Sequence, residues 1–120
     1  PEGFDDTKRS LAAGKRLFID GNLNTFCDSL MLPTPGEITF SINKKLLKGG
    51  FAIRDIDTAR AMAVAFQYLK IVVEPVGAIA LAAVLSRAFD CRDKTVCVIC
   101  SGGNVDSRMF NEAISKGNGL

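Results

Sequence analysis

Apolar residues recur along this chain in two rhythms, a helical one that dominates and a short continuous one near the end. Ile38, Ile42 and Leu46 fall four apart behind Thr34-Pro35-Gly36-Glu37. In that run a threonine cap, a proline in the first helical position and a glutamate at the third read as a capping box. The helix is expected to end at Gly49-Gly50. Ile56, Ala59, Ala63 and Phe66 keep helical spacing behind an Asp55 cap and predict a helix through about Tyr68, with alanines that favour close packing. Near the start, Asp5 or Asp6 can cap a short helix that runs toward Ala13 and stops at Gly14. Met109, Phe110 and Ile114 mark a final amphipathic helix. Between these lies a nearly all-apolar stretch from Pro75 to about Ser86, which reads as a buried helix because it has no face suited to water. Pro75 suits its first turn and leaves Glu74 at or near the cap, where the helix dipole favours an anion.

Val96, Cys97, Val98, Ile99 and Cys100 form the second rhythm, an unbroken β-prone run. It fits a strand covered on both faces in a parallel sheet better than a one-sided antiparallel strand. Leu17 to Ile19 and Phe51 to Ile53 are the other short extended pieces, with turns at Asp20-Gly21-Asn22 and from Asp90 to Lys94. The alternation predicts an α/β fold with an incomplete parallel sheet and flanking helices. Only one robust strand is visible, so the sheet's neighbours are expected outside these 120 residues. The strand runs into Ser101-Gly102-Gly103. Ligands of such sheets collect at the carboxyl ends of strands, and glycines remove the Cβ atoms that would keep a flat ring or a phosphate from the main chain. The same punctuation also serves an ordinary strand-to-helix turn, and these three residues alone leave both readings open.

Composition narrows the classes. With 120 residues and 48% hydrophobic content the chain has apolar surface enough for a core. A net charge of +2 with both signs interspersed gives no basic stripe, so nucleic acid is not an expected partner. The apolar region from Ala59 to Leu85 is broken by Gln67, Lys70 and Glu74-Pro75, short of the roughly 18 uninterrupted residues of a membrane span. The acidic, polar opening carries no signal-peptide pattern, so the expected setting is cytoplasmic. Cys97 and Cys100 spell Cys-x-x-Cys, but residues three apart on a strand face opposite sides and histidine is absent. Buried structural thiols are therefore the expectation.

Val73-Glu74-Pro75-Val76-Gly77-Ala78, Leu85-Ser86 and Ser101-Gly102-Gly103-Asn104-Val105-Asp106 carry a resemblance when taken together with the opening Pro1-x-x-x-Asp5-Asp6, Phe26-Cys27-Asp28 and Pro33-Thr34-Pro35-Gly36. In this order the motifs resemble the carboxyl-terminal part of the serine/threonine dehydratase family, pyridoxal-phosphate enzymes of fold type II. That group includes threonine ammonia-lyase, hydroxyaspartate ammonia-lyase and serine racemase. The resemblance spans essentially the whole chain and implies that residues 1–120 are the last part of the large, cofactor-binding domain. It implies a homodimer when full length, acting on a small amino acid by β-elimination to a keto acid and ammonia. The lysine that bonds the cofactor, the loop that grips the substrate carboxylate and the phosphate-cradling glycines are expected before Pro1. None of Lys44, Lys45 or Lys94 sits in that lysine's motif, so this chain alone is expected to be inactive.

The resemblance also implies roles for single residues. Ser101 matches the residue that hydrogen-bonds the pyridine nitrogen of pyridoxal phosphate, with Gly102 and Gly103 permitting close backbone approach. A neutral hydroxyl there does not hold a proton on the nitrogen as a carboxylate would, which suits elimination and disfavours transamination. Glu74 matches a position near the cofactor ring, against its plain reading as a helix-cap residue. Asp6 and the carbonyl of Phe4 match ligands of a divalent cation, magnesium or calcium by their oxygen chemistry. Asp6 equally suits a helix cap, and Phe4 stands where the family commonly has a small residue. Asp28-Ser29 departs from the family's Asp-Gly. Lys70 and Asn104 match nucleotide-effector contacts of serine racemase, but most of the family lacks that regulation and a solvated Lys70 is the expected reading. An alternative of another class is a non-catalytic binding or interaction module that docks a partner chain through exposed apolar faces.

Overall fold

The computed structural model describes residues 1–20 and 24–119. Its helices are α1 (Asp6–Ala13), α2 (Glu37–Leu46), α3 (Asp55–Val64), α4 (Pro75–Leu85) and α5 (Ser107–Asn118), with a 3-10 turn at Asp28–Leu30 and a π-helical turn at Ala65–Leu69. They fall into two compact units, Pro1–Ala52 and the remainder from Ile53.

In the first unit α1 packs against α2. Gly14 ends α1 in the left-handed region, at φ 66°, and its N–H returns to the Leu11 carbonyl, the conformation that costs glycine least. The Gly14 carbonyl accepts a hydrogen bond from Lys44 Nζ at 2.6 Å. Arg16 closes the other end, with Nε on the Pro35 carbonyl at 2.7 Å and a 2.8 Å ion pair to Glu37. Inside, fully buried Ser10 accepts the Leu17 N–H at 2.9 Å. That bond satisfies a hydroxyl which would otherwise carry a burial penalty.

In the second unit α3 packs against both α4 and α5. Its Ala59, Ala61, Met62 and Ala63 are buried, and the small side chains let neighbouring backbones come close. Gly117 of α5 is the extreme case: a Cβ there would stand 2.5 Å from the Ala59 carbonyl oxygen. Beyond Val64 the helix widens into its π turn, where the Ile71 N–H reaches back to the Ala65 carbonyl at 3.3 Å. Lys70, at φ 59°, stops it, with Nζ on the Gln67 carbonyl at 2.7 Å. The turn sets Phe66 edge-on to Phe110 of α5, with ring centroids 5.4 Å apart and planes at 85°.

Helix positions agree with the sequence pattern more closely than caps and faces do. Asp5 occupies the N-cap of α1 but makes no side-chain cap bond. The expected capping box is absent: Gly36 is the N-cap of α2, and the Thr34 hydroxyl is buried without a partner. Arg54, not Asp55, precedes α3. The stripe Ile38, Ile42 and Leu46 is 78%, 49% and 77% exposed, and Phe40 is the buried residue of α2. Periodicity locates an apolar face without saying what covers it. The turn expected at Asp20-Gly21-Asn22 lies largely outside the described residues.

No strand occurs among the described residues. Leu17 to Ile19 and Phe51 to Ile53 are irregular, and Val96 to Cys100 is neither laddered nor covered: Ile99 is 75% exposed and the Cys97 side chain is exposed too. A strand exists only through hydrogen bonds to a neighbouring strand, and the described residues supply none. The expectation of buried thiols thus fails for Cys97, which is exposed, and for Cys100, which is only half-buried, while Cys27 is fully buried.

Gly117→Ala is expected to destabilise the protein by about 1–2 kcal/mol. Overpacking costs up to ~3 kcal/mol, and alanine's helix preference returns ~1 kcal/mol. A lowered urea midpoint at unchanged slope would register it, whereas Gly49→Ala, with nothing within 4 Å of the new Cβ, should leave the midpoint in place.

Candidate functional site: the Glu74 and Ser101-Gly102-Gly103 junction

The chain enters α4 in extended conformation, with Glu74 as N-cap at φ −77° and ψ 163° and Pro75 in the first turn. Proline supplies the helical φ at a position where no N–H is needed. Glu74 therefore has its main-chain N–H free of the helix, and it donates to the carbonyl of Gly102 at 3.1 Å. One hydrogen bond thereby joins two motifs far apart in sequence.

Three glycines make that junction close. A Cβ at Gly77 would lie 2.5 Å from the Gly102 oxygen and 3.0 Å from its nitrogen, and one at Gly103 would lie 2.6 Å from the Val72 carbonyl oxygen. Gly102 faces the Glu74 side chain, whose Oε1 occupies the place of its missing Cβ. Downstream, the Val105 N–H bonds the Gly103 carbonyl at 3.0 Å, and Asp106 Oδ1 accepts the Met109 N–H at 2.9 Å to cap α5. The turn is thus held by α4 on one side and by the start of α5 on the other.

Glu74 and Gly102 are half-buried, while Ser101 and Gly103 are exposed. Glu74 is the N-cap residue of α4, as its place before Pro75 predicts, and its side chain makes no cap hydrogen bond. The carboxylate sits at the positive end of α4, where a negative charge is favoured, and remains available. A serine hydroxyl, a free carboxylate and a main chain stripped of Cβ atoms suit a flat, polar heteroaromatic ring, so these residues fit pyridoxal phosphate. The role of Gly77 escapes pattern reading. Apart from its place in the Val73–Ala78 motif, its sequence signal is a glycine inside a helix between valine and alanine, which lowers helix propensity for a packing reason the sequence does not name.

The metal candidates lie in the first unit. Asp6 opens α1 and is 6% exposed, with Thr7 Oγ1 donating to its Oδ2 at 3.3 Å. Phe4 is equally buried, and its N–H bonds the Pro1 carbonyl at 3.2 Å. Among the described residues no three His, Cys, Asp or Glu side chains gather around a common point.

A separate cleft is lined by Val84, Arg87, Phe89, Asp90, Cys91 and Arg92, none of them a residue the sequence pattern singles out. There the side-chain and backbone hydrogen bonds of Arg92 hold the exposed Asp90 carboxyl below its ordinary pKa. On α5 the Lys116 ammonium does the same for Glu112. No helix among the described residues is long and apolar enough to cross a membrane.

Residues 1–102 match the model of the pyridoxal-phosphate dependent enzyme family. The chain belongs to that family. Within it, the chain is 41% identical over 118 residues to a serine racemase of Dictyostelium discoideum, covering 96% of this chain and 36% of the relative. It is 33% identical over 108 residues to an L-threonine ammonia-lyase of Thermotoga maritima, covering 90% of this chain and 26% of the relative. The structure of maize serine racemase superposes with a TM-score of 0.80 at 33% identity, over 97% of this chain and 37% of that one. The chain spans about a third of the length of the curated relatives it matches.

Gly77→Ala should part α4 from the Ser101–Gly103 turn, because the clash is with main chain. The Glu74 amide is expected to exchange with deuterium at least about tenfold faster, equal to ~1.4 kcal/mol of local stability. Unchanged protection at that amide would contradict the junction described above.

Proposed function

We propose that the chain is the carboxyl-terminal part of the large domain of a fold type II pyridoxal-phosphate ammonia-lyase that converts a hydroxy amino acid, threonine or serine, to a keto acid and ammonia by β-elimination. The observation that carries the reading is the Glu74–Gly102 hydrogen bond, which brings a free carboxylate and the serine hydroxyl's own turn together. Bound pyridoxal phosphate supplies an electron-withdrawing pyridine ring. Ser101 offers that ring's nitrogen a hydrogen bond without fixing a proton on it. Gly102 and Gly103 admit the ring edge to the main chain, and Glu74 adds a negative charge beside it. The covalent lysine, the carboxylate-gripping loop and the phosphate cradle belong to the rest of the same polypeptide, so the chain by itself is inactive. In this reading Val96 to Cys100 becomes a strand when its sheet neighbours are present, and the full-length enzyme is a homodimer.

Racemisation of serine is the second reading, favoured by the 41% identity to a serine racemase. Hydroxyaspartate is a further candidate substrate, since a beta-hydroxyaspartate dehydratase of Paracoccus denitrificans is 34% identical over 106 residues. Asp6 and the Phe4 carbonyl would hold magnesium or calcium, with further oxygen ligands from the rest of the enzyme and from water. The burial of Asp6, whose carboxylate accepts a hydrogen bond from the Thr7 hydroxyl, supports that assignment.

Purified full-length protein is expected to be yellow and to release keto acid from threonine or serine. A colourless protein that produces none, and takes up no added pyridoxal phosphate, would favour a non-catalytic binding module. Ser101→Asp is expected to lower elimination by about 100-fold, on the scale of losing one well-placed catalytic interaction, and unchanged turnover would refute the role given to the neutral hydroxyl. Magnesium or calcium at about 100 times its Kd should stabilise the protein by ~2.7 kcal/mol, and Asp6→Ala should abolish that gain in thermal melts.

A further inference from the structure

The three glycines of the junction meet different obstacles. Gly77 and Gly103 face carbonyl oxygens of the main chain, so a side chain at either would force backbones apart. At Gly102 the three nearest atoms to an added Cβ all belong to Glu74: Oε1 in direct overlap, Cδ at 3.2 Å and Cγ at 3.9 Å. Gly102 is not among the residues with positive φ, so its backbone conformation is open to any residue. Neither main-chain geometry nor main-chain packing requires glycine at this position. What requires it is a carboxylate.

We infer that Gly102 is a positioning residue whose missing side chain forms the seat of the Glu74 carboxylate, fixing that charge beside the Ser101 turn. The purpose of the seat rests on the cofactor reading above, whereas its existence does not. Gly102 meets Glu74 twice: its carbonyl accepts from the Glu74 main chain, and the space beside its bare Cα is filled by the Glu74 carboxylate. With the main chain fixed by that bond, the vacant Cβ position gives the half-buried carboxylate a place against the turn. A freely rotating glutamate would spread its charge into solvent, where water screens it. A methyl group at 102 would swing the carboxylate off its seat at small cost to the fold, because only the end of a flexible side chain has to move.

The test compares Gly102→Ala, Glu74→Gln, Glu74→Ala and the double variant Glu74→Ala/Gly102→Ala in the full-length protein. A crystal structure of Gly102→Ala is expected to show the Glu74 carboxylate displaced by about 1.5 Å, the distance that restores ordinary van der Waals separation, with the 101–103 main chain unmoved. Movement of the main chain with Glu74 in place would overturn the inference. Loaded with pyridoxal phosphate, Gly102→Ala and Glu74→Gln are both expected to lower the apparent pKa of the bound cofactor's absorbance, by up to about one unit, because a nearby anion raises the proton affinity of the ring. The cofactor absorbance of Glu74→Ala/Gly102→Ala should titrate as that of Glu74→Ala does, since the alanine at 102 then meets no carboxylate. A further shift in the double variant, or a Gly102→Ala profile identical to wild type while Glu74→Gln moves, would sink the idea. So would a Gly102→Ala protein that fails to fold and is not rescued by Glu74→Ala. If the wild type takes up no pyridoxal phosphate, the proposed function falls, and the crystal structure alone decides the seat.

Discussion

A main chain touching a main chain is the constraint on which the second unit depends. The Glu74 N–H reaches the Gly102 carbonyl only because Gly77 lets α4 approach it, and the turn stays beneath α4 only because Gly103 lies flat against the Val72 carbonyl. The same economy joins α5 to α3, where Gly117 rests on the Ala59 carbonyl. Dispersion between closely apposed backbones and well-formed hydrogen bonds replaces interlocking of large side chains, and each contact tolerates no added methyl. This explains a core built of alanines at Ala59, Ala61, Ala63, Ala65, Ala78, Ala82 and Ala113.

Under the proposed function such close packing has chemical value at the Ser101–Gly103 turn. A loop with side chains on both faces would hold a planar ring away from its N–H and C=O groups. One flanked by glycines presents the peptide itself, and two helices keep it from collapsing. Asp106, as the cap of α5, and Pro75, as the first residue of α4, set the turn's ends by local rules that need no tertiary information.

Those local rules are why much of the fold is legible in the sequence. Gly14, Pro75 and the apolar spacing of the last helix mark positions that chain chemistry decides unaided. Faces and strands are another matter. Ile38, Ile42 and Leu46 share a face of α2 that remains open to solvent, and Val96 to Cys100 has the composition of a buried strand without the hydrogen-bonding neighbours that define one. Both depend on groups distant in sequence. The site follows the same division. Ser101, Gly102, Gly103 and Glu74 stand out as motifs, but only three-dimensional contact distinguishes a glycine that admits a carbonyl from one that admits a carboxylate.

The uncovered stretch ending at Cys100 bears on how the chain behaves in a test tube. Val96 and Ile99 present apolar surface beside amide and carbonyl groups that no ladder engages, and a β-prone segment in that condition is a template for any extended peptide it meets. Handled alone at high concentration, the polypeptide has a built-in route to self-association through strand addition.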